Sequence, residues 1–270
     1  MRPGVFLKLG GALLTEKDRR ESLRADILRR LTGEITAWAA VTDVPLVVAH
    51  GSGSFAHVAV GDSGFADHPD DRLALARVMA AARRLNVLVA DAFLTAGLPV
   101  VPVPGGLLAV CRDGAIERVR GEVVAGLLAA GLVPLLFGDG APDRIRGGAI
   151  ASTEALLLAL SEHVALARVI LATDVDGVFE VDPHGDPGAS PYPVLTPASA
   201  APLLASLGAS RPGATDVTGG MATKVHLMLR LVERCPDIEV RIVSGFRPGA
   251  VAAALAGDAT AGGTVIRGRS

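Results

Sequence analysis

The chain has 270 residues, half of them hydrophobic but only 3% aromatic, with a formal net charge of −2. Such a composition can bury a large core of Ala, Val and Leu, which suits helices packed on a β-sheet. The near-zero charge and the lack of a basic stripe argue against a nucleic-acid partner.

No membrane span is expected either. The longest uncharged apolar run, Val123 to Gly138, is broken by Gly131 and Pro134 and falls short of the roughly 20 residues a bilayer requires. Lys8 interrupts the first apolar stretch, so no signal peptide is expected. Two cysteines, Cys111 and Cys235, make no disulfide framework, and a cytoplasmic protein is the expectation.

Val5 to Leu9 is a short apolar strand carrying Lys8, and Gly10-Gly11-Ala12 follows. A lysine just before a glycine pair can set its ammonium over a phosphate held by loop amides. Of 26 basic residues only Lys8, Lys17 and Lys224 are lysines, so each is a candidate for work that a compact ammonium does and a planar guanidinium does not. Glu21 to Ala40 has helical spacing, with Leu23, Ile27, Leu31 and Ile35 on one face. Val44 to Ala49 is a second strand that ends at His50 and runs into Gly51-Ser52-Gly53-Ser54, the pattern of a strand, a tight loop and a helix start that favours anions. His57 lies in that helix start; His50, at the strand end, suits a structural role. Gly61 to Asp71 reads as an exposed loop and Arg72 to Gly97 as one or two helices. Asn86, the only asparagine, is better suited to helix packing than to a site.

Leu98 to Val103 is a third strand, Asp113-Gly114 marks a hairpin between Val110–Arg112 and Ile116–Val119, and Glu122 to Ala130 is helical. The strand Leu132 to Phe137 ends in Gly138-Asp139-Gly140, and Asp143 to Gly148 suggests a second hairpin or a lip. Ser152 caps a helix from Ala155 to Glu162 and leaves Glu154 free for a second task. The strand Arg168 to Ala172 runs into Thr173-Asp174-Val175-Asp176-Gly177, whose carboxylates can serve a nucleotide through bound magnesium or form a plain Asx turn. Pro183 to Pro202 reads as a surface loop. Asp216-Val217-Thr218-Gly219-Gly220 opens a helix in which Lys224 lies one turn along, within reach of a phosphate at its N-terminus. Strands at Glu239 to Val243 and Thr264 to Arg267 close the chain. The alternation predicts an α/β three-layer sandwich, a mainly parallel open sheet with helices on both faces.

Glycine loops at strand ends and lysines from opposite ends of the chain suggest a polyanion site, and phosphoryl transfer fits it best, because amides, ammonium groups and magnesium can supply most of the stabilisation. Neither a Walker loop nor the protein-kinase motifs occur. Instead Lys8-Leu9-Gly10-Gly11-Ala12, His50-Gly51-Ser52-Gly53-Ser54-Phe55-Ala56-His57, Thr173-Asp174-Val175-Asp176-Gly177 and Asp216-Val217-Thr218-Gly219-Gly220-Met221…Lys224 follow in the order and spacing of the amino acid kinase superfamily. Within it the chain resembles the isopentenyl phosphate kinases, from about Val5 to Ile266; the loop ending in Ser-Phe-x-His is the specific signal.

The resemblance implies a single domain over residues 1–270, with an acceptor-binding lobe to about residue 165 and an ATP-binding lobe beyond it. It implies transfer of the γ-phosphate of ATP to isopentenyl phosphate, with magnesium and a homodimer. By position, Lys8 and Lys224 would neutralise the moving phosphoryl group with Lys17 assisting. Gly10, Gly11, Gly53 and Gly220 would offer backbone N–H groups to the ATP phosphates, with Ala12 beside them and Asp174 and Asp176 on the nucleotide side. Ser52, His57 and Thr153 would bind the acceptor, and Glu154 would orient the lysines. The chain departs from the family pattern at Ala12, Ser52 and Ala56, and it has Ser152-Thr153-Glu154-Ala155 where many members have Ser-Gly-Asp-Asp. Leu73, Leu75, Val78, Met79 and Leu85 suit a prenyl-tail pocket and equally a packed core. A kinase of a compact acid such as fosfomycin, or a nucleotide-binding regulator without catalysis, are the alternatives.

Overall fold

Runs of β-branched and aliphatic residues alternate with alanine- and leucine-rich stretches of helical period, and the computed structural model, which describes residues 2–16, 19–180, 189–209 and 220–268, folds them as alternating strands and helices. The first half contains β1 (Gly4–Leu9), α1 (Gly11–Leu14), α2 (Ala25–Ala39), β2 (Leu46–His50), α3 (Gly53–Ser63), α4 (Arg72–Ala96), β3 (Val100–Pro104), α5 (Gly105–Leu108), β4 (Ala109–Arg112) and β5 (Ala115–Val119). It continues with α6 (Gly121–Ala129), β6 (Val133–Phe137), β7 (Asp139–Asp143), β8 (Gly147–Ala151) and α7 (Thr153–Leu160). The second half adds β9 (Leu166–Thr173), β10 (Val194–Leu195), α8 (Pro197–Ala209), α9 (Gly220–Arg234), β11 (Glu239–Ser244), α10 (Ala250–Ala256) and β12 (Thr264–Ile266).

Among the described residues the strands form an eight-stranded sheet, in the order β10-β12-β11-β9-β1-β2-β6-β3, and a four-stranded sheet, β5-β4-β7-β8. The large sheet is parallel except between β11 and β12. β1 is its hinge of connectivity: strands from the first half of the chain lie on one side of it and those from the second half on the other. In open α/β sheets ligands bind beyond the carboxyl ends of strands at such a switch point.

Alternation along β1 assigns the faces. Val5, Leu7 and Leu9 join the core shared with Leu31 and Ile35 of α2, Val89 of α4 and Val251 of α10, whereas Phe6 joins the core shared with Leu156 of α7 and Met228 of α9. Lys8 has the parity of Phe6, so it emerges on the α7 and α9 side. By the same rule His50 shares the parity of Leu46 and Val48 and faces α4.

The structure corrects several local expectations. α2 starts at Ala25 and not Glu21, because Glu21 is left-handed (φ 48°) and Leu23 bridges Thr15 in extended form. The stretch 61–71 is not simply an exposed loop. α3 runs to Ser63, and Phe65 is 3% exposed, packed in a third apolar cluster with Ala56, Val60, Val78 and Phe137. Within the excursion expected between 183 and 202, residues 183–188 lie outside the described residues, Val194–Leu195 form β10, and α8 starts at Pro197, a residue pre-set for a helix's first turn. The two hairpins were separate local signals, and the structure joins them into the small sheet. Of the apolar residues offered for a tail pocket or the core, Leu73 is 58% exposed, Leu85 lies in the core under α2 and Val78 is buried in the third cluster; Leu75 and Met79 remain, packed over Gly140.

Candidate active site

Lys8 and Glu154 make the central contact. Lys8 Nζ donates to Glu154 Oε1, with both side chains buried, and Thr153 Oγ1 donates to Glu154 Oε2 at 3.0 Å. Burial would raise the Glu154 pKa, but the charges of Lys8 and Lys224 and the hydrogen bond from Lys8 hold it well below the usual carboxylate range. Two lysines from opposite ends of the chain therefore act on one carboxylate, which stays ionised. Glu154 sits in the first turn of α7, whose cap Ser152 accepts from Ala155 N at 3.1 Å, as the sequence suggested.

The two glycine loops that follow β1 and β2 pack backbone against backbone. A Cβ on Gly11 would lie 2.5 Å from Gly53 N, and one on Gly51 would lie 2.7 Å from Gly11 N. Gly53 is also left-handed (φ 48°), so a larger residue there would be strained as well as blocked. Gly10 N–H is donated to Ala172 O at 2.8 Å at the carboxyl end of β1, so, against the sequence expectation, this amide is spent within the protein and is not offered to an ATP phosphate. Thr15 was not singled out from the sequence. Its hydroxyl donates to Gly11 O and accepts from Ser54 N, each at 2.9 Å, and so spans both loops.

Gly138, at the end of β6, is the meeting point of two helix starts. A Cβ added there would rest 3.6 Å from Ser52 Oγ, the cap of α3, and 3.7 Å from Thr153 N in the first turn of α7. The N-termini of α3 and α7 thus converge on one small space beside the Lys8–Glu154 pair, and both carry the positive end of a helix dipole. The hydroxyls of Ser52 and Thr153 are committed to Gly138 O and Glu154. Gly138 was legible only as part of a Gly-Asp-Gly turn; nothing in the sequence pairs it with Ser52.

His57 is half-buried on α3, four residues after Gly53, so it shares the face that points to the loop. His50 is fully buried and structural, as expected. Its Nδ1 lies 3.0 Å from Gly51 O, its Nε2 accepts from Asn86 Nδ2 at 3.0 Å, and its ring stacks on Phe137. Burial draws its pKa down to about 4, against the raising effect of the Gly51 acceptor. Asn86 therefore has a partner beyond helix packing. Asp139 is buried as well; burial raises its pKa to about 6, although Gly140 N donates to Oδ1 at 2.9 Å.

Asp174, half-buried, and Asp176, exposed, follow β9 at the same end of the sheet, and Gly220 and Lys224 lie in the first two turns of α9. Lys17 and residues 216–219 lie outside the described residues. Among the described residues no group of three or more His, Cys, Asp and Glu is placed to cage a metal. Asp174 and Asp176 fit magnesium carried by nucleotide phosphates, which takes only one or two protein carboxylates.

A family model for the amino acid kinase family matches residues 4–244. The chain belongs to the amino acid kinase family. It is similar to the isopentenyl phosphate kinase of Methanothermobacter thermautotrophicus, 31% identical over 98% of this chain and 99% of that protein. It is likewise similar to that of Haloferax volcanii, 32% identical over 98% of each. A solved isopentenyl phosphate kinase structure shares the fold with a TM-score of 0.80 at 28% identity, covering 97% of this chain and 99% of that one. Membership in the amino acid kinase family agrees with the three-layer architecture and with the place of the glycine loops at the carboxyl ends of β1 and β2. No helix among the described residues is long and apolar enough to cross a membrane.

Proposed function

We propose that the chain is an ATP-dependent kinase that phosphorylates isopentenyl phosphate to isopentenyl diphosphate. The observation that carries the reading is the convergence of two helix N-termini on Gly138 beside a buried lysine and carboxylate. That arrangement suits an anionic acceptor with its attacking oxygen turned toward β1. The full-length likeness to isopentenyl phosphate kinases supports the substrate.

In this reading the acceptor phosphate lies over Gly138, at the positive ends of the α3 and α7 dipoles, with Ser52, Thr153 and His57 around it. Lys8 and Lys224 face the moving phosphoryl group from the two halves of the chain. Glu154 fixes Lys8 and balances part of the positive charge, so the ammonium groups meet charge that develops in transfer without reorganising. Lys17 assists. Gly10, Gly11, Ala12, Gly53 and Gly220 line the ATP phosphates, with Asp174 and Asp176 on the nucleotide side. Magnesium, when bound with ATP, neutralises phosphate charge at this point. The prenyl tail lies against Leu75 and Ile150, which are partly exposed at the edge of the third apolar cluster. The lobe up to about residue 165 holds the acceptor and the lobe beyond it holds ATP.

The protein acts as a homodimer, for which the apolar outer face of α4, with Val87, Leu88 and Leu94 exposed, gives support. We place it in the cytoplasm, which supplies ATP and keeps thiols such as Cys111 and Cys235 reduced.

The test is ADP release from ATP and magnesium with isopentenyl phosphate, dimethylallyl phosphate, fosfomycin or no acceptor. Turnover on the prenyl monophosphates is expected, with a loss of about 100-fold in kcat/KM for His57→Ala, the scale of removing one charge-stabilising donor. Turnover on fosfomycin alone would overturn the substrate, and unchanged kinetics in His57→Ala would remove His57 from the acceptor site.

A further inference from the structure

Resting on the kinase reading, we infer that Thr15 is a positioning residue that sets the spacing between the two glycine loops, and hence between the donor and acceptor phosphates. Thr15 is fully buried at the end of α1. Its backbone N–H and its hydroxyl both donate to Gly11 O at 2.9 Å, so it holds the first loop twice. The same hydroxyl accepts from Ser54 N at 2.9 Å. Ser54 is the second residue of α3, so this amide is one of the free donors that every helix start presents. Thr15 takes it for the protein and turns the first turn of α3 into a fixed neighbour of the first loop.

The contact leaves no slack. A Cβ on Gly53 would meet Thr15 Oγ1 at 2.1 Å, Thr15 Cγ2 at 2.8 Å and Gly11 O at 2.8 Å. Thr15 is held in turn by the segment that follows it. Leu23 pairs with it in an antiparallel bridge, and Ser22 N donates to Ser54 Oγ at 3.3 Å. Ser54 is therefore gripped at its amide by Thr15 and at its hydroxyl by Ser22. The first loop follows β1, which carries Lys8, and the second opens α3, which carries His57. A residue that joins the loops acts on the distance between reacting groups, and a displacement on the order of 1 Å can cost about 100-fold in rate.

The experiment compares wild type, Thr15→Val and Thr15→Ser. Turnover is measured with ATP, magnesium and isopentenyl phosphate; ADP and isopentenyl phosphate binding are measured separately by calorimetry, and thermal unfolding is followed alongside. Valine keeps the shape and removes the hydroxyl; serine keeps the hydroxyl. Misplacement of two otherwise intact loops predicts a fall in kcat of roughly 10- to 100-fold for Thr15→Val. Each ligand's affinity should stay near the wild-type value, and Thr15→Ser should restore most of the turnover. Three results would overturn the inference: unchanged kcat in a Thr15→Val protein of lowered thermal stability, affinities that fall as far as kcat, or no rescue by serine. If Thr15→Val does not fold, Thr15→Cys, with its weaker donor, should show a partial loss of kcat, and a wild-type kcat there would overturn the inference equally. Wild-type turnover with a normal Thr15→Val enzyme would leave the kinase reading standing, whereas a wild type silent on every acceptor would sink both.

Discussion

Two histidines seven residues apart have opposite environments, and the pleat of β2 and the pitch of α3 account for it. His50 ends a strand on the parity that faces α4, where its ring is stacked on Phe137 and its two nitrogens are matched to Gly51 O and Asn86 Nδ2. The Gly51 carbonyl can only accept, so Nδ1 carries the proton and Nε2 is the acceptor. A second proton would remove the Asn86 bond and bury a charge. With a folded pKa of about 4 against an ordinary value of 6.5, the unfolded chain binds the proton more readily between those values. The stability that neutral His50 contributes is thus complete above pH 6.5, shrinks as pH falls, and is gone below about 4. The melting-temperature gap between wild type and His50→Gln should close as pH is lowered through this window; a gap independent of pH would contradict the assignment. Asp139 acts in the opposite sense. Its raised pKa of about 6 makes its burial more costly as pH rises, so the difference against the variant isolates His50.

The small sheet is an assembly of two hairpins joined at one carboxylate. Asp143, at the end of β7, accepts from Ile145 N and Arg146 N in its own turn at 2.8 Å, and from Asp113 N at 3.1 Å and Gly114 N at 2.8 Å in the turn between β4 and β5. Burial opposes its ionisation, but these N–H groups win and bring its pKa down to about 2. Its contribution to stability is present above the usual value of 3.8 and is lost only as pH falls through 2. Four donors satisfied by one side chain explain why two turns that look independent in sequence fold as one sheet beneath α4. Asp143→Ala should lower the unfolding free energy by about 2–4 kcal/mol in urea titration, since several amides lose their acceptor together. A change below about 0.5 kcal/mol, typical of a surface site, would mean that water replaces the carboxylate. The Arg146–Asp113 and Arg112–Glu117 pairs on the same turns are exposed and add little.

Assembly is a matter for α4 and the sheet edge. β3 is the outermost strand of the large sheet on that side, and Pro102 and Pro104 withhold N–H groups from any strand that might add to it. The neighbouring face of α4 exposes Val87, Leu88 and Leu94, so a second copy would dock on the helix rather than extend the sheet. Leu88→Asp should shift the protein to monomer in sedimentation, with the fold intact by circular dichroism. A wild type that sediments as a monomer at micromolar concentration would remove the dimer.

The periodicities of the chain carried the layered α/β architecture, because each strand run and each helical stripe states its own period, and the charge and glycine motifs named Lys8, Lys224, Glu154 and the loops. Ser152 as a cap was equally plain, since a cap is a local bond. Contacts between segments were not legible. The Lys8–Glu154 pair, which spans 146 positions, was expected only through the family resemblance and not from any local signal, and the joining of Gly11 to Gly53 and of Gly138 to Ser52 depends on strands β1, β2 and β6 lying side by side. Thr15 escaped notice because its meaning lies in an amide 39 residues away. The small sheet and the burial of Phe65 escaped for the same reason. Local preference sets which elements form, whereas long-range hydrogen bonds and close backbone approach set which polar groups remain free to meet a phosphate.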